Sequence, residues 1–452
     1  MPQDLDKQPG GCPTLNRRRL LKAGAAGLAA ATTTLMARDA WSQATDGMPT
    51  TAMLPDTSND IQTAAADNNY WHSVRSLYDV PTDLIHLEHG NWGMMTKSVH
   101  ATYLEELTKV NRHTSYYGRE LFAEEQTRVM QQVADVLDVS TDEIAPVRNA
   151  TEALTALIGG YRKLKPGDGV LYADLDYPSM QGAMRWLVER RGVSVHTVNL
   201  PEPASMDSII STYESALKSN RHIRLLLVTH ISHRTGLLLP VRDIIAMARR
   251  YDVDVILDSA HAWGQVDFAL PDTGADFVGL NLHKWMGAPL GLGLIYIKRS
   301  RLGDIERHMV RGGGSDTDSI YARTGIGTNN LAAQLTIPAA LNVHQTIGPA
   351  LKNARLRRLR DLWAERLREH PRIEILTPAD PSLYAGITSF RIKGQTSTAA
   401  NTALAKKLWQ QHRIFVVQRD GLASGSCVRV TPAVYTLESE VDALADALET
   451  IA

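Results

Sequence analysis

Cysteine is nearly absent: the chain of 452 residues has two, Cys12 and Cys427. Two thiols cannot form a disulfide framework or a multi-cysteine metal centre, and no metal site is expected. A surplus of charge is missing too, since 48 Lys and Arg face 49 Asp and Glu for a formal net charge of -1. A protein that grips a nucleic-acid backbone needs a basic excess, so nucleic acid is not an expected partner. Phenylalanine is scarce at five, and after the first 44 residues no hydrophobic run is long enough to span a bilayer. What is plentiful is apolar sequence, 44%, together with 32 glycines. A chain of this size and composition buries a substantial core, as one large and one smaller domain, with glycines for tight turns and close backbone approaches.

The N-terminus differs from the rest. Asn16-Arg17-Arg18-Arg19-Leu20-Leu21-Lys22 precedes an Ala-rich, weakly apolar run from Ala23 to Leu35. That run is too short for a mature transmembrane helix, and its basic flank suits a processed targeting segment. The pattern resembles a twin-arginine signal, with Arg17 and Arg18 as the pair, Asn16 in place of the usual Ser or Thr, and Ser42 and Ala44 permitting cleavage after Ala44. A basic cap on an amphipathic helix is the plainer reading. Removal of residues 1 to 44 takes away six Lys/Arg and three Asp, leaving 42 against 46, or -4, and only Cys427. The resemblance implies export through the twin-arginine machinery to the periplasm, in the folded state.

Residues 45 to 69 lack a sustained period and read as a linker or irregular arm, the first part of a segment, 45 to 95, expected to hold an N-terminal arm and the start of the smaller domain. From residue 96 to 337, helical periods alternate with short apolar runs. Helices are predicted at 121–137, 153–164, 180–191 and 241–251, and strands at 169–173, 193–198, 223–229 and 253–257. This alternation predicts an α/β domain with a mostly parallel sheet and helical crossovers. From 338 to 452 a long helical region, 338–370, leads into strands at 373–376, 386–393, 414–418 and 427–431 and a helix at 399–412, an α+β domain.

The chemistry concentrates in Ile256-Leu-Asp258-Ser-Ala-His261-Ala-Trp-Gly264 and Gly279-Leu-Asn281-Leu-His283-Lys284-Trp285. Asp258 ends an apolar strand, where open α/β sheets place ligand groups. Lys284 interrupts an apolar run just before the Gly-rich stretch 286–293. Alone, either residue reads as a helix cap or a surface lysine. Together they resemble the class V aminotransferase group of fold type I pyridoxal-phosphate enzymes, a similarity extending over roughly residues 80 to 445. The resemblance implies that Lys284 holds the cofactor as an imine and that Asp258 pairs with its pyridine nitrogen. Lysine is a reversible imine nucleophile, and the acid stabilises a protonated ring that serves as an electron sink.

Further positions follow from the same resemblance. Ala150 and Thr151, at a helix start, would cradle the phosphate, where the plain alternative is an N-cap. Asn281 and His283 would add phosphate contacts, and Gly327-Thr328 resembles a segment donated by the neighbouring subunit of a homodimer. Tyr177 would stack on the cofactor ring, while His261 and Ser232 would lie near its oxygen. Arg429 would bind the substrate α-carboxylate through its forked donors, against a strand-end salt bridge as the alternative.

Cys427 lies in a strand rather than on a mobile loop, which disfavours desulfuration. The motifs His86-Leu-Glu-His-Gly-Asn-Trp-Gly93, Asp174 to Tyr177 and Thr229 to Gly236 are similar to the isopenicillin N epimerase-like branch, which includes an exported enzyme of pyoverdine maturation. Glu88 replaces the Asn common in the first of them. The implied function is amino-group chemistry on an amino-acid-containing peptide or siderophore precursor. Epimerisation of an amino acid or of an isopenicillin N-type substrate stays open, as does a non-catalytic periplasmic binding protein.

Overall fold

The computed structural model describes residues 54–311, 318–325 and 327–451; the expected signal at 1–44 and its cleavage site lie outside them. Two short helices come first, Ile61–Ala66 and Asn68–Ser76. Asp60 caps one by accepting from the Thr63 amide, and Asp67 caps the other by accepting from Asn69 and Tyr70. The irregular arm expected to reach residue 69 is therefore helical from Ile61. The apolar residues it buries are Ala64 and Ala65, too small to mark a period, and Trp71 clamps them with an indole N–H to the Ala64 carbonyl at 3.0 Å.

After β1 (Ile85–His86) come two long helices, Lys97–Glu120 and Phe122–Leu137. The main sheet then forms from β2 (Ile144–Val147), β3 (Gly169–Ala173), β4 (Ser194–Val198), β5 (Ile223–Thr229), β6 (Asp254–Ser259), β7 (Phe277–Asn281) and β8 (Gly293–Ile297). Its order is β2-β8-β7-β6-β5-β3-β4, and β8 alone runs antiparallel to its neighbours. The strands β3, β7 and β8 are buried along their whole length, as apolar runs covered by helices on both faces must be. The register sets Thr229 beside Asp258 and Asp258 beside Gly279, which brings three strand ends to one edge.

The helical region expected at 338–370 begins at Leu331 and is three helices, Leu331–Leu335, Ile337–Ile347 and Pro349–Arg368. Gly348, at φ 91°, breaks the last two apart, and Pro349 starts the new one with its φ preset. The terminal domain follows with β9 (Ile373–Ile375), β10 (Thr388–Ile392), β11 (Ile414–Phe415), β12 (Val417–Arg419) and β13 (Cys427–Val430). Its antiparallel sheet runs β12-β13-β10-β9 and is covered by the helices Pro349–Arg368, Thr398–His412 and Glu438–Ile451. The early β1 pairs in parallel with β11, so the start of the described chain is built into its end.

Candidate active site

Where the strand ends of the main sheet meet the terminal domain lies a cavity of about 520 Å³. Asp258, near the end of β6, reaches it from below, with Oδ1 accepting from the Ala260 amide at 2.9 Å. Burial lifts its carboxyl above the ordinary carboxylate range, against the pull of the Ala260 N–H and the Lys284 amine.

Lys284 follows β7 on a turn fixed from two sides. The Gly93 amide donates to the His283 carbonyl at 2.8 Å, and a Cβ on Gly93 would lie 2.0 Å from the Lys284 carbonyl oxygen. Gly264, at φ 87°, presses on the next residue, where a Cβ would meet the Trp285 carbonyl carbon at 2.7 Å. The Lys284 Nζ stands 3.0 Å from His261 Nε2, and Trp285 Nε1 donates to His261 Nδ1 at 3.3 Å. An indole nitrogen can only donate, so Nδ1 accepts and the imidazole proton sits on Nε2, aimed at the lysine. A lysine that accepts this proton is an unprotonated amine. Burial makes that neutral form more accessible: it pushes Lys284 down to about 8, partly opposed by Asp258, and holds His261 well below its ordinary value.

The opposite wall is the first turn of the helix Ala150–Gly160. Asn149 caps it by accepting from the Glu152 amide at 2.9 Å, and Asn281 Oδ1 accepts from the Ala150 amide at 2.8 Å. Thr151 is solvent-accessible on the same turn. His283 Nδ1 donates to the Leu292 carbonyl at 2.8 Å, which leaves Nε2 as its acceptor. Tyr177 stands over the cavity, 40% exposed, its ring edge-on to His233 at 5.1 Å.

The cavity thus brings together Ala150, Thr151, Tyr177, Asp258, His261, Asn281, His283, Lys284 and Arg429. Ser232 is off its wall: fully buried, its hydroxyl accepts from the amides of Arg234 and Thr235, both at 3.2 Å. Gly327 and Thr328 are exposed and also off this chain's wall. Cys427 is buried away from the cavity, and burial pushes its thiol up to about 12.

Arg429 is 1% exposed and has both terminal nitrogens engaged. Nη1 donates to the His233 carbonyl at 2.7 Å, and Nη2 to the two Glu88 oxygens at 2.6 and 2.8 Å. Glu88 also accepts from Arg419 Nη2 and from the Thr431 hydroxyl, each at 3.2 Å. Sequence reasoning noted Glu88 only as a departure from a motif and passed over Arg419, which lines the cavity. The signal for the first was the carboxylate itself; for the second there was none, because Arg419 reaches the cavity only through the pairing of β12 with β13.

The family model for class-V aminotransferases matches residues 94–444. The isopenicillin N epimerase of Streptomyces clavuligerus is 27% identical over 400 residues, covering 84% of this chain and 98% of that one. Its namesake from Amycolatopsis lactamdurans is 29% identical over 337 residues, covering 71% and 83%. Among solved structures, a C-DES mutant with glycine covalently linked to its PLP cofactor superposes with a TM-score of 0.71 at 21% identity, over 83% of this chain and 98% of that one. The chain belongs to the class-V aminotransferase family, pyridoxal-phosphate enzymes of fold type I, and its mostly parallel sheet with an α+β terminal domain is that fold.

Proposed function

We propose that the protein is a pyridoxal-phosphate enzyme of amino-group chemistry, acting in the periplasm on a primary amine of an amino-acid-containing peptide or siderophore precursor. The observation that carries the reading is the Lys284 amine, 3.0 Å from His261 Nε2 and drawn down to about 8 by burial, at a cavity wall shared with the Asp258 carboxyl. These residues fit the cofactor. Lys284 supplies the nucleophile, Asp258 the partner for a ring nitrogen, and the helix start at Ala150 and Thr151, with the polar side chains of Asn281 and His283, a place for a phosphate. When bound, pyridoxal phosphate supplies an electron sink that acidifies the carbon bearing the substrate amine. Lys284 is placed to take the proton from that carbon, and His261 to hold the amine in line. Export is supported by the Arg17-Arg18 segment, and the siderophore substrate by the motifs around Glu88, Tyr177 and Ser232. A homodimer is supported by the exposure of Gly327 and Thr328, which leaves that segment accessible to a second subunit.

Epimerisation is the second reading. It needs a proton donor on each face of the reacting carbon, and His233 also lines the cavity with a buried Nδ1 that has no hydrogen-bond partner among the described residues. Release of a keto product favours transamination; exchange of the carbon-bound hydrogen in heavy water with inversion favours epimerisation.

Borohydride reduction of the purified protein followed by peptide mass spectrometry should place a pyridoxyl group on Lys284, and Lys284→Ala should lose both the adduct and the reaction. A cofactor-loaded, active protein without that adduct overturns the assignment. For export, changing Arg17 and Arg18 together to Lys should keep the protein in the cytoplasmic fraction.

A further inference from the structure

We infer that Glu88 is a specificity-determining residue. It fills the forked donors of Arg429 with a carboxylate of the protein's own, so the pocket does not anchor its amine through a free α-carboxylate. The assignment rests on the function proposed above and narrows its substrate class to amines whose neighbouring carboxyl is masked as an amide or absent, as within a peptide.

The geometry leaves Arg429 little to offer. Nη2 is spent on both oxygens of Glu88 and Nη1 on a main-chain carbonyl, and Nε is buried without a partner among the described residues. Gly90 presses against the same nitrogen, where a Cβ would lie 2.5 Å from Nη2. Glu88 is held as firmly, with Arg419 and Thr431 as its other donors and a side chain 6% exposed. A substrate carboxylate that took its place would strip charge-assisted bonds from a buried group, and the expelled carboxylate would have to find water or share Arg419. Substrate and Glu88 also repel each other as like charges at one fork. An amide in the substrate meets neither difficulty, because it carries no charge to compensate.

The experiment compares L-alanine with L-alaninamide as ligands of the holoenzyme, with dissociation constants taken from the change each makes in the cofactor absorbance. The ratio of the two constants is measured in the wild type, in Glu88→Asn and in Glu88→Gln. Differences in basicity between the two amines cancel when ratios are compared across variants. Expected is a shift of at least about tenfold in favour of L-alanine in both variants, the magnitude of one well-made charged hydrogen bond. If one variant fails to fold by its thermal melt, the other decides. A ratio unchanged in a folded, cofactor-loaded variant overturns the inference and returns Arg429 to service as the carboxylate clamp. A wild-type protein without a cofactor on Lys284 overturns the earlier reading, and this one with it.

Discussion

Lys284 and Arg429 are both basic side chains at one cavity, and their surroundings treat them in opposite ways. Lys284 has no acidic hydrogen-bond partner among the described residues, so burial, opposed only in part by the Asp258 and Glu88 charges, brings its amine to about 8. About half of it is neutral at pH 8 and roughly 1% at pH 6. Cofactor loading of the apoprotein, followed by absorbance, should accordingly slow by roughly fiftyfold between those values and level off above pH 9. A rate still climbing tenfold per unit from pH 8 to 10 would mark an ordinary lysine. Arg429 instead has its charge answered by Glu88 at 2.6 Å. Removing either partner strands the other in a buried site, at a cost of about 3 kcal/mol or more. Glu88→Gln and Arg429→Gln should each lower the denaturation midpoint, while the double variant loses less than their sum, with a coupling of about 1–3 kcal/mol.

Among the elements, legibility followed burial. The strands Gly169–Ala173 and Ile223–Thr229 were readable to the residue because an apolar run between two helical layers leaves little ambiguity. The helix Lys97–Glu120 was not, since Val99 and Tyr117 are its only buried residues and no stripe shows in the sequence. The site divided similarly. Asp258 and Lys284 stand at the ends of neighbouring strands and were legible together, whereas Glu88 meets Arg429 across 341 positions through strand pairings that no local pattern discloses. The lysine turn also depends on the segment after β1 that ends at Gly93, a motif in the sequence whose contact with Lys284 no local pattern discloses. Since a Cβ there would lie 2.0 Å from the Lys284 carbonyl oxygen, Gly93→Ala must push the segment off the turn. Expected are a loss of about 1–3 kcal/mol in stability and slower cofactor loading, checked by thermal melting and absorbance.

At the scale of the whole molecule, a second buried lysine sets how stability responds to pH. Lys352 donates to the Trp285 carbonyl at 3.2 Å and approaches His344 Nδ1 at 3.1 Å, and burial pushes its amine down to about 7. Unfolded, the same amine keeps its proton to about pH 10. Between pH 7 and 10 the unfolded chain therefore binds more protons, and stability rises with pH; Lys284 adds a rise of the same sign above about 8. The melting temperature of the apoprotein should climb from pH 6.5 to 9. In Lys352→Met it should climb less and start higher, and an identical slope in the two proteins would remove Lys352 from the account.

The pairing of β1 with β11, and of Glu88 with Arg429, has a consequence for biosynthesis. A ribosome delivers Lys284 long before it delivers Arg419 and Arg429, and the segment from His86 to Gly93 has no strand to join until residue 414 has emerged. A nascent chain holds the reactive amine while one wall of its pocket is still untranslated. Completion of the pocket thus belongs to the finished polypeptide, and chains released early, by a stop codon or a stalled ribosome, carry the lysine without the wall that Glu88 and Arg429 build together.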